Sequence, residues 1–132
     1  MPKSSENPRR RTRVRLLIEI VSGALRWRWC RFEIADHSMR PTLADGDWVL
    51  ALARPRRLAV GDVVVCALPE SRGFRIVKRI TAIDPSDGSL WLLGDDPAAG
   101  SVDSRSFGSV IPASVFARLV LRYRPLPPTL IH

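Results

Sequence analysis

From residue 32 onward the sequence breaks into short apolar runs separated by turn signals, and this pattern restricts the fold more than any other feature. Asp45, Gly46 and Asp47 form one such turn, and residues 85–88 form another. Helix and strand patterns do not alternate, which disfavours a parallel sheet with crossover helices. We predict a mainly β single domain of coiled antiparallel sheets or an open barrel. The predicted strands are 48–53, 63–67, 74–83, 90–93 and 114–123.

An amphipathic pattern precedes this region at residues 14–26 and predicts one short N-terminal helix. Its polar stripe is formed by Arg15, Glu19, Ser22 and Arg26. The helix would be about 20 Å long and charged, against a hydrocarbon core of about 30 Å, so no transmembrane span is expected. Glu19 and the arginines that follow also argue against a cleavable signal peptide. The helix is expected to pack on the domain or to lie on a membrane with Trp27 and Trp29.

Positive charge is concentrated at the N-terminus. The formal net charge is +8, and six cations crowd the first fifteen residues, opposed by Glu6. Such an arm suits lipid headgroups or nucleic acid, and it also suits a solubilising tail. We favour contact with an anionic membrane through residues 1–31 over nucleic acid, and a cytoplasmic or peripheral membrane location. The chain then divides into a flexible arm (1–13), a helix with a Trp/Arg segment (14–31), the main domain (32–124) and a Pro-rich tail (125–132).

Lys78 is an exception in the charge composition. Of 21 basic residues, only Lys3 and Lys78 are Lys, and the other 19 are Arg. Alternation along a strand places Lys78 in an apolar row with Ile76 and Ile80. Burial there lowers the pKa of a Lys and permits a neutral amine, whereas Arg stays charged. Lys78 is therefore a candidate general base, and the alternative is an edge-strand Lys that extends its charge into solvent.

Ser38 is the candidate nucleophile. Pro41 and Thr42 follow it and disfavour a strand, so we expect Ser38 at a strand end or turn, with its hydroxyl exposed and its backbone N–H in a cleft. His37 should point to the opposite face of the extended chain, and we interpret it as a rim residue. His132 lies in the Pro-rich tail, so a Ser-His-Asp triad is disfavoured.

A polar loop at 94–108 supplies supporting candidates. Asp103 and Arg105 can pair and brace the loop, and Ser101 or Ser104 can hydrogen-bond an amine.

The two cysteines, Cys30 and Cys66, are far apart and have no His cluster beside them. Neither a zinc site nor a disulfide framework is indicated, and we expect no metal and no cofactor.

Three ordered blocks resemble those of the signal peptidase I family of Ser/Lys endopeptidases, the S26 type. They are S-M-x-P-T-L at 38–43, K-R-I at 78–80 and G-D-[DN]…S-x-D-S-R-x-x-G at 94–108. Their order, within a resemblance that covers residues 33–124, makes a chance match improbable. The sequence is most similar to the small nickel-type superoxide dismutase maturation proteases, through the lack of a membrane span, the short connection from Lys78 to Gly94 and the G-D-x-P-A-A/S sequence.

The resemblance implies a serine endopeptidase with a mostly β fold. Ser38 would be the nucleophile and Lys78 the base, Ser101 would hydrogen-bond the Lys amine, and Asp103 and Arg105 would form a supporting ion pair. The partner is a precursor protein that loses an N-terminal leader. It would bind as an extended strand beside the sheet edges, along residues 75–83.

Two further expectations concern the substrate groove and the oxyanion hole. Apolar side chains should line shallow subsites for small residues such as Ala, namely Met39, Leu50, Leu52, Ile76 and Ile80. Asp36 stands where many bacterial relatives have a Ser or Thr that helps the oxyanion hole. A carboxylate cannot donate a hydrogen bond, so Asp36 either points away or slows turnover. Asp96 replaces the usual Asn, a change that we expect to be tolerated.

Three alternative functions stay open. The first is a general secretory signal peptidase. The second is a self-cleaving regulator of the repressor class, with the bond between Ala99 and Gly100 as a conceivable cleavage site, although no helix-turn-helix precedes the domain. The third is a non-catalytic module that binds lipid or nucleic acid.

Overall fold

The computed structural model describes residues 15–17, 28–68 and 75–132, which form one antiparallel sheet with almost no helix. The strands are β1 (Arg15–Leu17), β2 (Trp29–Glu33), β3 (Trp48–Ala53), β4 (Val63–Ala67), β5 (Arg75–Ile83), β6 (Leu90–Leu93), β7 (Val115–Arg124) and β8 (Thr129–Leu130). One helical turn, α1 (Ser104–Phe107), and two 3₁₀ turns, Pro97–Ala99 and Pro112–Ser114, complete the described part. The predicted mainly β fold is confirmed, and each predicted strand agrees with the structure to within one residue at each end.

The order of the strands is β1-β2-β3-β7-β4-β5-β6, with β8 paired to β7. The ten-residue β7 pairs with both β3 and β4, so it joins the two halves of the sheet. Register shifts interrupt its pairing with β3 at two places and with β4 at one. Such bulges bend a strand and increase its local twist.

Two hydrophobic clusters cover opposite faces of β4 and β5. Val63, Val65 and Val77 belong to the first cluster, whereas Val64 and Cys66 belong to the second. Successive side chains of a strand point to opposite faces, and four consecutive β4 residues are buried. A nearly continuous run of valines is therefore what a strand covered on both faces requires. Lys78 projects from β5 towards the second cluster.

The N-terminal part differs from the prediction where it is described. Arg15–Leu17 form β1 and pair with β2, whereas the sequence pattern predicted a helix over 14–26. The helix prediction is wrong for these three residues: a short isolated helix is marginal, while β1 satisfies backbone groups along the edge of β2. Residues 1–14 and 18–27, with the predicted arm and the rest of the helix, lie outside the described residues. No described helix is long and apolar enough to cross a bilayer.

Candidate active site

Ser38 and Lys78 lie in direct contact. Lys78 Nζ donates a hydrogen bond of 2.8 Å to Ser38 Oγ, across 40 positions of sequence. Lys78 comes from the middle of β5, opposite Val64 of β4, and Ser38 comes from the turn that follows β2. The His37 side chain makes no hydrogen bond to Ser38, and its Nδ1 is buried without a partner among the described residues. The structure thus brings the predicted nucleophile to the predicted base.

Both residues are buried, with exposed fractions of 1% for Ser38 and 0% for Lys78. The expected exposed hydroxyl is therefore wrong. The Ser38 turn is anchored on both sides, because Met39 and Leu43 pack in the first cluster and the Asp96 N–H donates to the Ser38 carbonyl at 2.8 Å. The hydroxyl points inward to the amine as a result.

The surroundings of Lys78 favour a neutral amine. Burial lowers the pKa of Lys78 below its ordinary value, and the carboxylates of Asp36 and Asp103 act in the opposite direction. Cys66 also faces the amine, but burial raises the pKa of its thiol to about 12, so it stays uncharged at ordinary pH. A neutral amine beside Ser38 can accept the hydroxyl proton through its lone pair.

Asp36 does not point away from the site. Its Oδ2 lies 3.9 Å from Lys78 Nζ, and its Oδ1 accepts a hydrogen bond of 2.6 Å from the His37 backbone N–H. A signal for this orientation was present in the sequence, since residues two positions apart in extended chain share a face, and Ser38 is two positions on. Alternation along the extended chain, which predicts that His37 points away from the base, also predicts that Asp36 lies on the same side as the base.

Gly94 packs against the nucleophile. A Cβ at this position would lie 2.7 Å from the Ser38 carbonyl oxygen and 3.2 Å from Ser38 Cβ. Real side chains do not approach so closely, so only glycine lets the loop after β6 come this near to Ser38.

The expected hydrogen bond from Ser101 to Lys78 is not formed in the described structure. Ser101 Oγ lies beside Gly94 instead, 3.3 Å from where a Cβ would stand. Ser104, the other candidate partner for the amine, accepts a hydrogen bond of 2.8 Å from the Leu92 N–H. Its hydroxyl therefore ties α1 to β6.

Asp103 and Arg105 form the expected ion pair. Arg105 donates to the Asp103 carboxylate through Nε at 3.1 Å and through NH2 at 2.8 Å. Burial acts to raise the pKa of Asp103, but the hydrogen bonds from Arg105 outweigh it and hold the pKa below its ordinary value. Asp103 also caps α1, since its side chain accepts from the Arg105 N–H. The pair braces the loop next to the amine.

A second network, which the sequence did not predict, joins all three sequence blocks. Arg79 binds the Asp95 carboxylate through Nε at 2.8 Å and NH2 at 2.7 Å, a bidentate pair. Thr42 Oγ1 donates to the same carboxylate at 2.6 Å. Arg79 NH1 donates to the carbonyls of Gly61 and His132, both at 2.6 Å. The network fixes the Ser38 turn, the Lys78 strand and the Gly94 loop relative to one another.

The predicted subsite residues are mostly core residues. Met39, Ile76 and Ile80 are 1%, 2% and 0% exposed, in the two hydrophobic clusters, so a substrate cannot touch them in this structure. Leu50 and Leu52 are half-buried on the side of β3 away from the first cluster. Two cavities of about 300 and 350 Å³ open at the ends of β5, and neither is lined by Ser38 or Lys78.

The sheet edge open to a substrate is shorter than predicted. All of Arg75–Ile83 was expected to offer an edge, but β6 pairs with β5 from Arg79 onward. Residues 75–78 pair with β4 on one side only, and no described strand occupies the other. That free edge ends at Lys78.

Comparison with known proteins identifies the family. Residues 13–87, a span that contains Ser38 and Lys78, match the family model described as signal peptidase, peptidase S26. The chain belongs to the S26 signal peptidase family. This S26 peptidase is a serine-type endopeptidase that binds precursor proteins and removes leader peptides. The match ends before the 94–108 loop.

Two curated relatives agree with this assignment. The S26 peptidase is 33% identical over 111 residues to mitochondrial inner membrane protease subunit 1 of Schizosaccharomyces pombe, covering 68% of this chain and 70% of that protein. It is 31% identical over 110 residues to the protein of the same name from Xenopus tropicalis, covering 67% of this chain and 65% of that protein.

Proposed function

We propose that Ser38 and Lys78 are the catalytic dyad of this peptidase. The observation that carries the proposal is the 2.8 Å contact between Lys78 Nζ and Ser38 Oγ. Neutral Lys78 takes the Oγ proton while Oγ bonds to the scissile carbonyl carbon, and the carbonyl electron pair moves to oxygen. Lys78 then gives that proton to the leaving amine as the C–N bond breaks, and afterwards activates water for deacylation. The backbone N–H of Ser38 contributes to the oxyanion hole.

The substrate is a precursor peptide in extended conformation. We infer that it adds to the free edge of residues 75–78, because strand addition supplies main-chain hydrogen bonds and aligns a peptide bond with the dyad. Small residues such as Ala before the scissile bond fit a site whose nucleophile is 1% exposed. An apolar pocket that discriminates between side chains by their size contributes only about 1–3 kcal/mol to selectivity, so the sequence flanking the scissile bond must add to it.

The specific substrate that we propose is a nickel superoxide dismutase precursor. The support is the resemblance of the loop from Gly94 to Arg105 to the maturation proteases of that enzyme. Cleavage would expose the N-terminal metal-binding segment of the mature dismutase. A general secretory leader is the second substrate class.

Co-expression with each precursor, followed by N-terminal sequencing of the product, tests this assignment. Ser38→Ala is the matched control, since it removes one oxygen atom and the nucleophile with it. We expect one cut in the dismutase precursor with the wild type and none with Ser38→Ala. An uncut dismutase precursor beside a cleaved secretory leader would move the protein to general leader processing. Equal cleavage by a folded Ser38→Ala variant would overturn the dyad.

We also propose that residues 1–31 attach the protein peripherally to an anionic membrane, and without that contact the protein would be cytoplasmic. Six cations within the first fifteen residues supply the charge. Trp29, at the start of β2, is 40% exposed, and Trp suits the headgroup region.

A further inference from the structure

We propose that Asp36 is a positioning residue for this reaction, whose carboxylate pairs with the Lys78 ammonium that forms when Ser38 releases its proton. The inference rests on the proposed Ser38–Lys78 dyad and adds a third member to it.

The geometry of Asp36 suits this role. Its Oδ2 is 3.9 Å from Lys78 Nζ, while its Oδ1 is held at 2.6 Å by the His37 backbone N–H. The backbone N–H of His37 thus orients the carboxylate through Oδ1, and Oδ2 is the oxygen within ion-pair distance of the amine. Lys78 has no exposed surface and the Asp36 side chain is 19% exposed, so water screens the pair only partly.

Three other titratable groups lie near Lys78, and of these the Asp103 carboxylate also favours the ammonium form. Asp103, from the segment before α1, is engaged by two side-chain hydrogen bonds from Arg105. Cys66, from β4, carries no charge at ordinary pH, because burial raises its pKa to about 12. His37 adjoins Asp36 and contacts it through its backbone N–H.

The carboxylate has opposite effects before and during the reaction. In the free enzyme it favours the ammonium form of Lys78, which reduces the fraction of neutral base at low pH. During attack, Lys78 becomes an ammonium beside a new oxyanion, and Asp36 stabilises that ammonium. A carboxylate cannot donate a hydrogen bond to the oxyanion, so Asp36 acts through the lysine.

The pH profile of kcat/KM for Asp36→Asn tests the proposal. Asn keeps the shape of the side chain and an oxygen for the His37 N–H, and it removes the charge. We expect the acidic limb of the profile to move to lower pH. We also expect the alkaline plateau to fall about fivefold, the size of a partly exposed ion pair. The two profiles should therefore cross, with the variant faster at low pH and slower at high pH.

Two further variants serve as a second test and as a control. Asp36→Ser removes the same charge with a smaller side chain, so its acidic limb should move in the same direction even if Asn is poorly tolerated. Asp45→Asn removes a carboxylate from the exposed turn before β3 and should keep the wild-type profile. The same shift in Asp45→Asn, or a crossing profile in His37→Gln, would assign the effect elsewhere and overturn the inference.

If kcat/KM of Asp36→Asn falls by the same factor at every pH, Asp36 has a purely structural role. If the profile of Asp36→Asn equals that of the wild type, Asp36 has no role in the reaction. Either result overturns the inference while the dyad stands, provided that Ser38→Ala is inactive. Full activity in Ser38→Ala would instead remove the dyad itself.

Discussion

A lysine without exposed surface is an unusual side chain in a β-sheet, because a buried ammonium loses its hydration. Lys78 is tolerated because its amine binds Ser38 Oγ and because burial lowers its pKa towards the neutral form. The preference of the chain for Arg, together with the apolar row around Lys78 and the accompanying motifs, indicates Lys78 in the sequence. The approach of Asp36 to the same amine also follows from alternation along the chain, but the sequence alone could not fix the rotation of its carboxylate.

The pH dependence of stability tests the state of Lys78. Its folded pKa lies below its ordinary value, so between the two values the unfolded chain binds a proton that the folded chain does not. Stability therefore rises with pH across that window and is lost as pH falls. We expect the Tm of the wild type to rise with pH relative to that of Lys78→Met, measured by thermal unfolding at a series of pH values. A Tm difference that stays constant with pH would contradict the lowered pKa.

At the scale of elements, the site depends on three segments that are distant in sequence. The Ser38 turn, β5 and the Gly94 loop are tied by the Arg79–Asp95 pair and its hydrogen bond from Thr42. Sequence blocks predicted that these segments meet, and local turn chemistry predicted where the strands begin and end. The long-range network was not predictable, because each of its polar side chains is also compatible with a solvent-exposed position.

Gly94→Ala tests the close packing of the loop on the nucleophile. The added Cβ would lie 2.7 Å from the Ser38 carbonyl oxygen, so Ser38 or the loop must move. A displacement of about 1 Å lowers the rate about 100-fold, and we expect a loss of that order in kcat with the fold retained.

Gly100→Ala is the matched control for this prediction, since it lies in the same loop and its Cβ would meet nothing within 4 Å. Its positive φ of 63° makes Ala costly by about 1–2 kcal/mol in stability. We expect a lower Tm with activity retained. Equal activity losses in both variants would show that loop strain, rather than contact with Ser38, controls the rate.

At the scale of the whole molecule, the sheet has a second core that the sequence could not locate. Ile76 and Ile80 were expected to line subsites, but they are buried in the second cluster together with Leu90, Leu92 and Val110. Periodicity shows which strand positions share a face, and it does not show which face another segment covers. The strand order, with β7 between β3 and β4, depends likewise on pairings far apart in the chain.

The proposed membrane attachment also belongs to the scale of the whole molecule. Removal of residues 1–13 should weaken sedimentation with anionic vesicles and leave cleavage of a soluble peptide unchanged, because the arm supplies charge and no dyad residue. High salt should weaken vesicle binding of the full chain in the same way. Neutral vesicles are the control. Equal binding to anionic vesicles with and without the arm would make the arm a passive tail.

The most direct test of the Ser38–Lys78 dyad is the pH profile of leader-peptide cleavage by wild type, Lys78→Ala and Lys78→Arg. Arg keeps the positive charge and much of the length of Lys, but it cannot become a neutral base. We predict that wild-type kcat/KM rises with pH through the lowered pKa of Lys78, and that both folded variants are slower by at least about 100-fold at every pH. A folded Lys78→Arg variant that cleaves at the wild-type rate, or a wild-type rate that is flat from acid to alkaline pH, would contradict the account.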